Sequence, residues 1–392
     1  MGNVPNLRFT EFTEEWEKCT LGDITINFNL RNKDKIEFPM YSVTNNRGFI
    51  PQSEQFEDRD MVGEDIKAYK IIHNKDFAYN PARINVGSIA KYSGSEPCMI
   101  SSLYVCFKAA NGIDEDWLMH LLRSPKIQYY YQTNGEGGVR IYLFYPNFAR
   151  IRTSLPTITE QRKIANLLSL LDERIATQNK IIDKLQSLIS GIIQNAIQKG
   201  LNNNTWEMIY LSKLLTERKE KNSNGYEVNS VSVSEGVINQ IEYLGRSFAA
   251  SDTSKYNVVR YGDIVYTKSP TGNFPYGIIK QSFQKHPVVV SPLYGVYEPY
   301  SNEAGCFLHY YFLSSIVTTN YLSPLIQKGA KNTINISNQT FLNNMVPYPK
   351  EEVGIRPIAE LLRNVQIKLN IERLSLVLLE QQKTYLLRSM FI

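Results

Sequence analysis

The chain has little of what most catalytic or exported proteins are built around. Its 392 residues hold four cysteines (Cys19, Cys98, Cys106, Cys306) and four histidines (His73, His120, His286, His309). No two cysteines form a CxxC pair, and none has a histidine at metal-ligand spacing, which excludes the common zinc sites. The thiols are therefore expected to be buried or incidental in a reducing compartment. No run of about 18 apolar residues exists, so no membrane span is expected. The opening stretch, residues 1–12, has no apolar signal core, so a cytoplasmic location is expected. The net charge is only +5, which permits a polyanionic partner without demanding one.

Catalytic signatures are equally sparse. There is no phosphate-binding GxxxxGK[ST] sequence, so no ATP hydrolysis is expected in this chain. No glycine-rich loop after a strand offers a seat for S-adenosylmethionine. Gly135-Glu136-Gly137-Gly138 is glycine-rich, but it lies in a loop and lacks the dinucleotide spacing. Asn80-Pro81-Ala82-Arg83 approaches an amino-methyltransferase box, but Ala82 and Arg83 stand where proline and an aromatic are needed. No Ser or Cys nucleophile is followed by a base in a recognisable order, and His120, inside a helical pattern, reads as a packed side chain. Metal and cofactor are thus expected to be absent from this chain.

What the chain does have is a repeat. Ile164-Ala165-x-Leu167-Leu168 returns as Ile358-Ala359-x-Leu361-Leu362, an offset of 194 residues, about half the length. Each copy begins a long helical pattern, and each follows a segment rich in strand-forming and turn residues. Trp16 and Leu21 return as Trp206 and Leu211. Lys75-Asp76-Phe77-Ala78-Tyr79 is echoed by Gly262-Asp263-Ile264-Val265-Tyr266, and Ile100-Ser101-Ser102-Leu103-Tyr104 by Val290-Ser291-Pro292-Leu293-Tyr294. Identities are few, so the halves share a scaffold and not a surface.

In the first globular segment, strands are expected near 20–24, 38–43, 76–79, 87–91 and 103–107. A helix is expected over 114–124, with Asp114 as its N-cap and Pro125 after its end. Lys199 to Asn204 reads as a linker that stops the first long helix at Gly200. In that helix Ile164, Leu168, Leu171, Ile175, Gln178, Ile182, Leu185, Ile189, Ile192 and Ala196 alternate steps of four and three, a heptad seam with one polar member. The equivalent seam in the second helix is apolar except at Glu372 and Lys383. Each helix alone reads as a core helix or as one strand of a coiled-coil dimer between copies, but one chain supplies both strands, so an intramolecular antiparallel pair is expected. About 40 residues at 1.5 Å each would reach roughly 60 Å. Gln178 and Glu372 are expected to meet near its middle and fix the register.

This order of segments, with Leu155-Pro156, Glu160-Gln161-Arg162-Lys163-Ile164-Ala165, Leu167-Leu168, Leu171-Asp172 and the closing Leu386-Leu387-Arg388-Ser389-Met390-Phe391, resembles the specificity subunit of type I restriction-modification systems. Asn85-Val86-Gly87-Ser88-Ile89-Ala90 and Gly329-Ala330-Lys331-Asn332 add to the likeness. Gly354-Ile355-Arg356-Pro357 departs from it, standing where Glu-Gln-Arg-Lys is wanted. The resemblance covers the whole chain. It implies an α+β protein with pseudo-two-fold symmetry, in which two similar α/β target recognition domains are separated by two long antiparallel helices forming an intramolecular coiled coil. The boundaries would be 1–155 and 201–349 for the recognition domains, and 156–200 and 350–392 for the spacer helices. It further implies a noncatalytic, DNA-binding chain that reads a two-part sequence in double-stranded DNA, the helices setting the gap. Two methyltransferase subunits and restriction/translocase subunits would be its partners, and S-adenosylmethionine, ATP and magnesium would belong to them. No membrane is implied.

Base reading in a groove favours Arg for guanine and Asn or Gln for adenine, whereas phosphates draw Lys, Arg, Ser, Thr and Tyr. On that chemistry the first segment offers Arg31 and Lys33, then Asn45, Asn46 and Arg47, then Arg83 and Asn85, Lys91 and Tyr92, and Arg140 after its glycines. The second offers Lys219, Lys268 with Ser269 and Asn273, and Lys328, Lys331 and Asn332. Each is equally readable as part of a solvated polar loop, Arg218-Lys219-Glu220-Lys221 above all as a solvated helix end. Two other classes remain open: an interaction protein whose helices dock partners, and an enzyme such as a fused methyltransferase. Binding to random-sequence DNA separates the first, and a cofactor titration the second.

Overall fold

The structure, a computed structural model, describes residues 3–55, 66–137, 141–328 and 334–392. The chain forms two compact units, Met1–Gln178 with Ser375–Ile392, and Asn179–Leu374.

In the first unit a four-stranded antiparallel sheet runs in the order Thr25–Phe28, Val105–Ala109, Phe77–Tyr79, Ile89–Lys91. Every residue of Phe77–Tyr79 is buried, so both faces of the sheet are covered. One face is aromatic: Phe77 stacks on Phe107 at 5.1 Å and Tyr79 on Phe148 at 5.3 Å between ring centroids. The other packs a smaller core of Val43, Ile72, Ala78, Ala90, Cys98, Ile100 and Cys106 beneath the hairpin of Tyr41–Thr44 and Gly48–Pro51. Burial pushes the Cys98 and Cys106 thiols up to about 12, as suits packed rather than reactive cysteines.

Asp114 caps the helix Glu115–Arg123, its carboxylate accepting from the Asp116 and Trp117 amides at 3.1 and 2.9 Å. Ser124 ends that helix and caps the next, Pro125–Thr133, where proline at the first turn gives up an amide no helix would use. Two strand expectations needed correction. Residues 21–24 are a helical turn, not a strand: the strand Glu17–Thr20 stops where the Asp23 carboxylate accepts from the Thr20 amide at 2.7 Å and hydroxyl at 2.8 Å. The strand expected at 103–107 begins at Val105, because the Tyr104 amide bonds back to Ser101 in a turn that leaves Leu103 exposed.

The second unit repeats this plan strand for strand. Its sheet order is Leu215–Glu217, Gly295–Pro299, Ile264–Tyr266, Ile279–Gln281. A hairpin of Asn229–Ser232 and Gly236–Asn239 covers a valine core, and Tyr266 and Tyr297 stack on Phe341 at 4.8 and 4.7 Å. Ser301 and Ser314 cap the helices Asn302–Tyr311 and Ser315–Leu322.

The first long helix spans Ile158–Asn202, beyond its expected stop at Gly200. Gly200 is there for space rather than for termination, since a Cβ would fall 2.1 Å from the Trp206 ring. The turn is taken by Asn204, at φ 57°. Burial follows the heptad seam until Ile189 and then passes from Ile192 to Ile193, the drift of a 3.6-residue helix against a 3.5-residue repeat. The second long helix, Arg356–Ser389, starts later than expected, after a 3₁₀ turn at Glu352–Gly354 and with Pro357 in its first turn.

Within the first unit the two helices run antiparallel. Ile164, Leu168 and Leu171 share a core with Leu379, Leu386 and Met390, and Asp172 pairs with Lys383, which accounts for the lysine in the second seam. Glu160-Gln161 is a staple at the start of the first helix. Arg8 holds the fully buried Glu160 with two bonds of 2.7 and 2.8 Å. Gln161 accepts from the Asp114 amide at 2.9 Å and donates to the Pro156 carbonyl at 2.9 Å. In the second unit, the start of the second helix packs on Asn302–Tyr311, with Cys306 Sγ donating to the Ala359 carbonyl at 3.7 Å.

Candidate nucleic-acid interface

The first unit gathers several of the expected reading residues on one edge. The hairpin tip carries Asn45, Asn46 and Arg47, held as a turn by the Arg47 amide donating to Thr44 Oγ1 at 3.2 Å. Against it lies the 80–88 loop, which joins the inner strand Phe77–Tyr79 to the edge strand Ile89–Lys91. The Ser88 hydroxyl donates to the Val43 carbonyl at 2.7 Å, and Gly87 faces Asn45, where a Cβ would sit 3.8 Å from that residue's backbone. Arg83 is exposed at the head of the short turn Ile84–Val86, which contains Asn85. The Asn80 side chain accepts from the Ala82 amide at 3.0 Å, so it shapes its own loop. Arg31 and Lys33 are exposed beside a strand bridge to Lys70, and Asn32 between them is buried, bonding both backbone groups of Ile36.

Other expected contacts are committed elsewhere. Tyr92 is not a surface residue: its ring packs edge-on between Tyr41 and Phe49, and its hydroxyl donates to the Glu96 carbonyl at 2.7 Å. Lys91 is paired with Asp116. Lys268 turns inward at φ 58° and donates to Asn338 Oδ1 at 2.5 Å, while Asn338 donates to Glu217 at 2.6 Å; burial lowers the lysine's pKa. Neither lysine presents a free charge. Ser269 and Asn273 do remain exposed, on the loop that occupies in the second unit the place of the 80–88 loop in the first.

Lys219 is exposed, but its neighbours correct the helix-end reading, because this stretch follows the strand Leu215–Glu217. Arg218 grips the buried Asp263 with bonds of 2.7 and 3.0 Å, and Lys221 donates to Asn257 at 2.5 Å. Arg140, Lys331 and Asn332 lie outside the described residues, as does the side chain of Lys328, whose backbone pairs in the short ladder with Ile334–Asn335. Gln178 is buried, and Glu372 is paired with Lys368 one turn away on its own helix.

Two cations were passed over in the sequence. Arg123 ends a helix and Lys280 sits mid-strand. Lys280 is buried and Arg123 is half-buried. Burial carries Lys280 down to about 8. His120 is packed as expected, burial lowering it to about 4, with Nε2 3.3 Å from Ser169 Oγ.

Two globular units, each with a four-stranded antiparallel sheet and a loop-bearing edge, and each joined to part of a long helix, make up the described fold. No protein-family model matches the chain. A Methanocaldococcus jannaschii protein assigned as the MjaX specificity subunit of a type I restriction enzyme is 27% identical over 209 residues, 51% of this chain and 49% of the relative. The chain thus spans about half the length of the curated relative it matches. The crystal structure of a type I restriction-modification S subunit from M. genitalium superposes with a TM-score of 0.60 over 99% of both chains at 12% identity. A chain from a structure on complex assembly and conformational transition of a type I system gives 0.52 over 97% of this chain and 98% of that one, at 15% identity. The fold is that of the type I specificity subunits, and the sequence resembles theirs.

Proposed function

We propose that this chain is the DNA-reading specificity subunit of a type I restriction-modification system. Each sheet unit reads one half of a two-part sequence in double-stranded DNA, and the long helices set the gap between the halves. The chain carries no chemistry of its own. It directs two methyltransferase subunits and the restriction/translocase subunits to the site, and S-adenosylmethionine, ATP and magnesium act in those partners, in the cytoplasm.

The observation that carries the reading is a strand-for-strand duplication whose reading tips have diverged. The first hairpin tip presents Asn45, Asn46 and Arg47, side chains suited to adenine and guanine edges, and the second presents Val233, Ser234 and Glu235. A shared scaffold with unlike tips suits two unlike half-sites. The likeness of fold over nearly the full length adds support.

Exchange of residues 205–349 for those of a relative tests it, read by mapping methylated bases in host DNA. One half of the recognised sequence should change and the other should stay. A change in both halves, or in neither, overturns the two-headed reading.

A further inference from the structure

In the first unit a cleft of about 650 Å³ opens between the 41–51 hairpin, the end of the strand Ile89–Lys91 and the helix Glu115–Arg123. Three cations line it, Arg47, Lys91 and Arg123, against one carboxylate, Glu54. Two of the cations are satisfied, Arg47 by Glu54 at 2.6 Å and Lys91 by Asp116. Arg123 has no hydrogen bond and no ion pair among the described residues. The acid that bears on it, Asp172, is paired with Lys383. Burial works against its charge. A guanidinium withdrawn from water without a counter-charge costs stability. Its planar fork is suited to an arriving phosphate.

The second unit has a cation of its own beneath its hairpin, on a different element. Lys280 pairs with Val265 as Ala90 pairs with Ala78, so it holds the sheet position of Ala90, which lines the cleft in the first unit. It is 4% exposed and has no hydrogen bond or ion pair among the described residues. The ring it acts on, His309, accepts from the Gln281 amide at 3.1 Å and is neutral by burial, so it supplies no negative charge. Leu313 stands where the first unit has Arg123. Among the described residues each unit therefore keeps one unpaired cation beneath its hairpin, a half-buried arginine from a helix in one case and a buried lysine from a strand in the other. Core packing explains neither.

We propose that Arg123 holds a backbone phosphate of the DNA in this cleft, and that Lys280 does so beneath the hairpin of the second unit. The inference rests on the DNA-reading function proposed above and extends it from base edges to the backbone. DNA is favoured over a free anion because Asn46 and Arg47 belong both to the cleft lining and to the reading edge. A phosphate seated there would set the register in which the tip meets the bases.

The test is binding of the full chain to a labelled random-sequence duplex from 50 to 200 mM salt. Arg123→Gln should lower the slope of log affinity against log salt by about 0.9, so that over this range it loses about threefold less affinity than the parent. It should also melt at a higher temperature, since an unpaired charge is gone. Arg123→Lys should keep the slope. Lys280→Met should repeat both changes, and the double variant should lower the slope by about 1.8. Unchanged slopes in folded Arg123→Gln and Lys280→Met overturn the phosphate assignment and leave the DNA reading standing. A lower melting temperature with an unchanged slope marks a structural role and also overturns it. If Arg123→Gln does not fold, Lys280→Met with the same two readouts decides. Inorganic phosphate bound by the parent and lost in the variants, without a change in slope, makes the cleft a free-anion site and overturns the backbone assignment. No duplex binding by the parent chain overturns both readings.

Discussion

The two sheet units share most of their cap and turn residues and differ at the tips of their hairpins. Both bury an aspartate before the third strand. Asp76 accepts from the His73 amide and Asp263 from the Arg260 amide, each at 2.8 Å. Both turn into the Val105 and Gly295 strands through a serine whose carbonyl takes the amide three residues on, and both leave a leucine exposed there, Leu103 at 78% and Leu293 at 73%. Both start two helices from a serine or aspartate cap. The tips share nothing: Asn45-Asn46-Arg47 against Val233-Ser234-Glu235. Packing constrains the scaffold in the same way twice, while the tips answer to what each unit meets. The counter-charges have diverged as well. Asp76 has Lys108 at 3.6 Å and the His73 ring at 3.7 Å, whereas Asp263 has a two-pronged Arg218.

The sharpest way to break the comparison is at the staple only the first unit has. Arg8 is 13% exposed and Glu160 fully buried, and the second long helix begins with Arg356-Pro357 instead. Arg8→Ala leaves a buried carboxylate unpaired and should cost about 3–5 kcal/mol. Denaturant unfolding should show the loss in the first unit alone, with the second unit's transition in place. A loss below about 1 kcal/mol would mean that the staple holds nothing.

Next comes the asymmetry at the sheet position shared by Ala90 and Lys280. Burial depresses Lys280 from 10.5 to about 8. Between those values the unfolded chain carries a proton that the folded chain has released, so stability should rise as pH goes from about 8 to 10.5, by on the order of 3 kcal/mol at most. Below pH 8 the charged lysine is held at a cost. Lys280→Met should abolish that rise and bring the gain forward to neutral pH. A parent chain whose stability is flat from pH 8 to 10 would show the ammonium to be solvated after all.

Much of this architecture was legible in the residues. The long helices announced themselves because a 3.5-residue period sustained over ten seam positions has no competing explanation. Their ends were harder. Gly200 reads as a stop until Trp206 is known to lie against it, and that contact depends on the path of the chain after the helix. Thr20 to Ile24 reads as a strand because five residues cannot separate the two periods, yet Thr20-x-x-Asp23 is a capping signature in plain view. The reading edge was only half legible. Half-buried Asn45 and exposed Asn46, Arg47 and Arg83 follow from turn chemistry. The pairing of Lys91 and Lys268 was not legible, because the groups that occupy them, Asp116 and Asn338, come from elsewhere in the sequence. Lys280 had a signal: between Ile279 and Gln281 it must share the face of Val265, where a charge has no ordinary reason to be.

The smallest effect isolates backbone from side chain. The residue before the buried aspartate takes a left-handed conformation in both units, Lys75 at φ 70° and Gly262 at φ 89°. Only in the second unit does the residue suit it. Gly262→Ala brings in a Cβ for which there is space, Asn302 Oδ1 at 3.8 Å being its nearest neighbour, so any loss comes from the backbone alone. About 1 kcal/mol is expected, a left-handed penalty partly offset by the reduced entropy of the unfolded chain. Lys75→Gly should move the first unit in the opposite direction by less, since it relieves the same strain, restores that entropy and gives up an exposed pair with Glu115 at 3.0 Å. Opposite signs in the two units would show one turn geometry imposed on two sequences. Equal signs would mean that the two turns, alike in φ, are held by different forces.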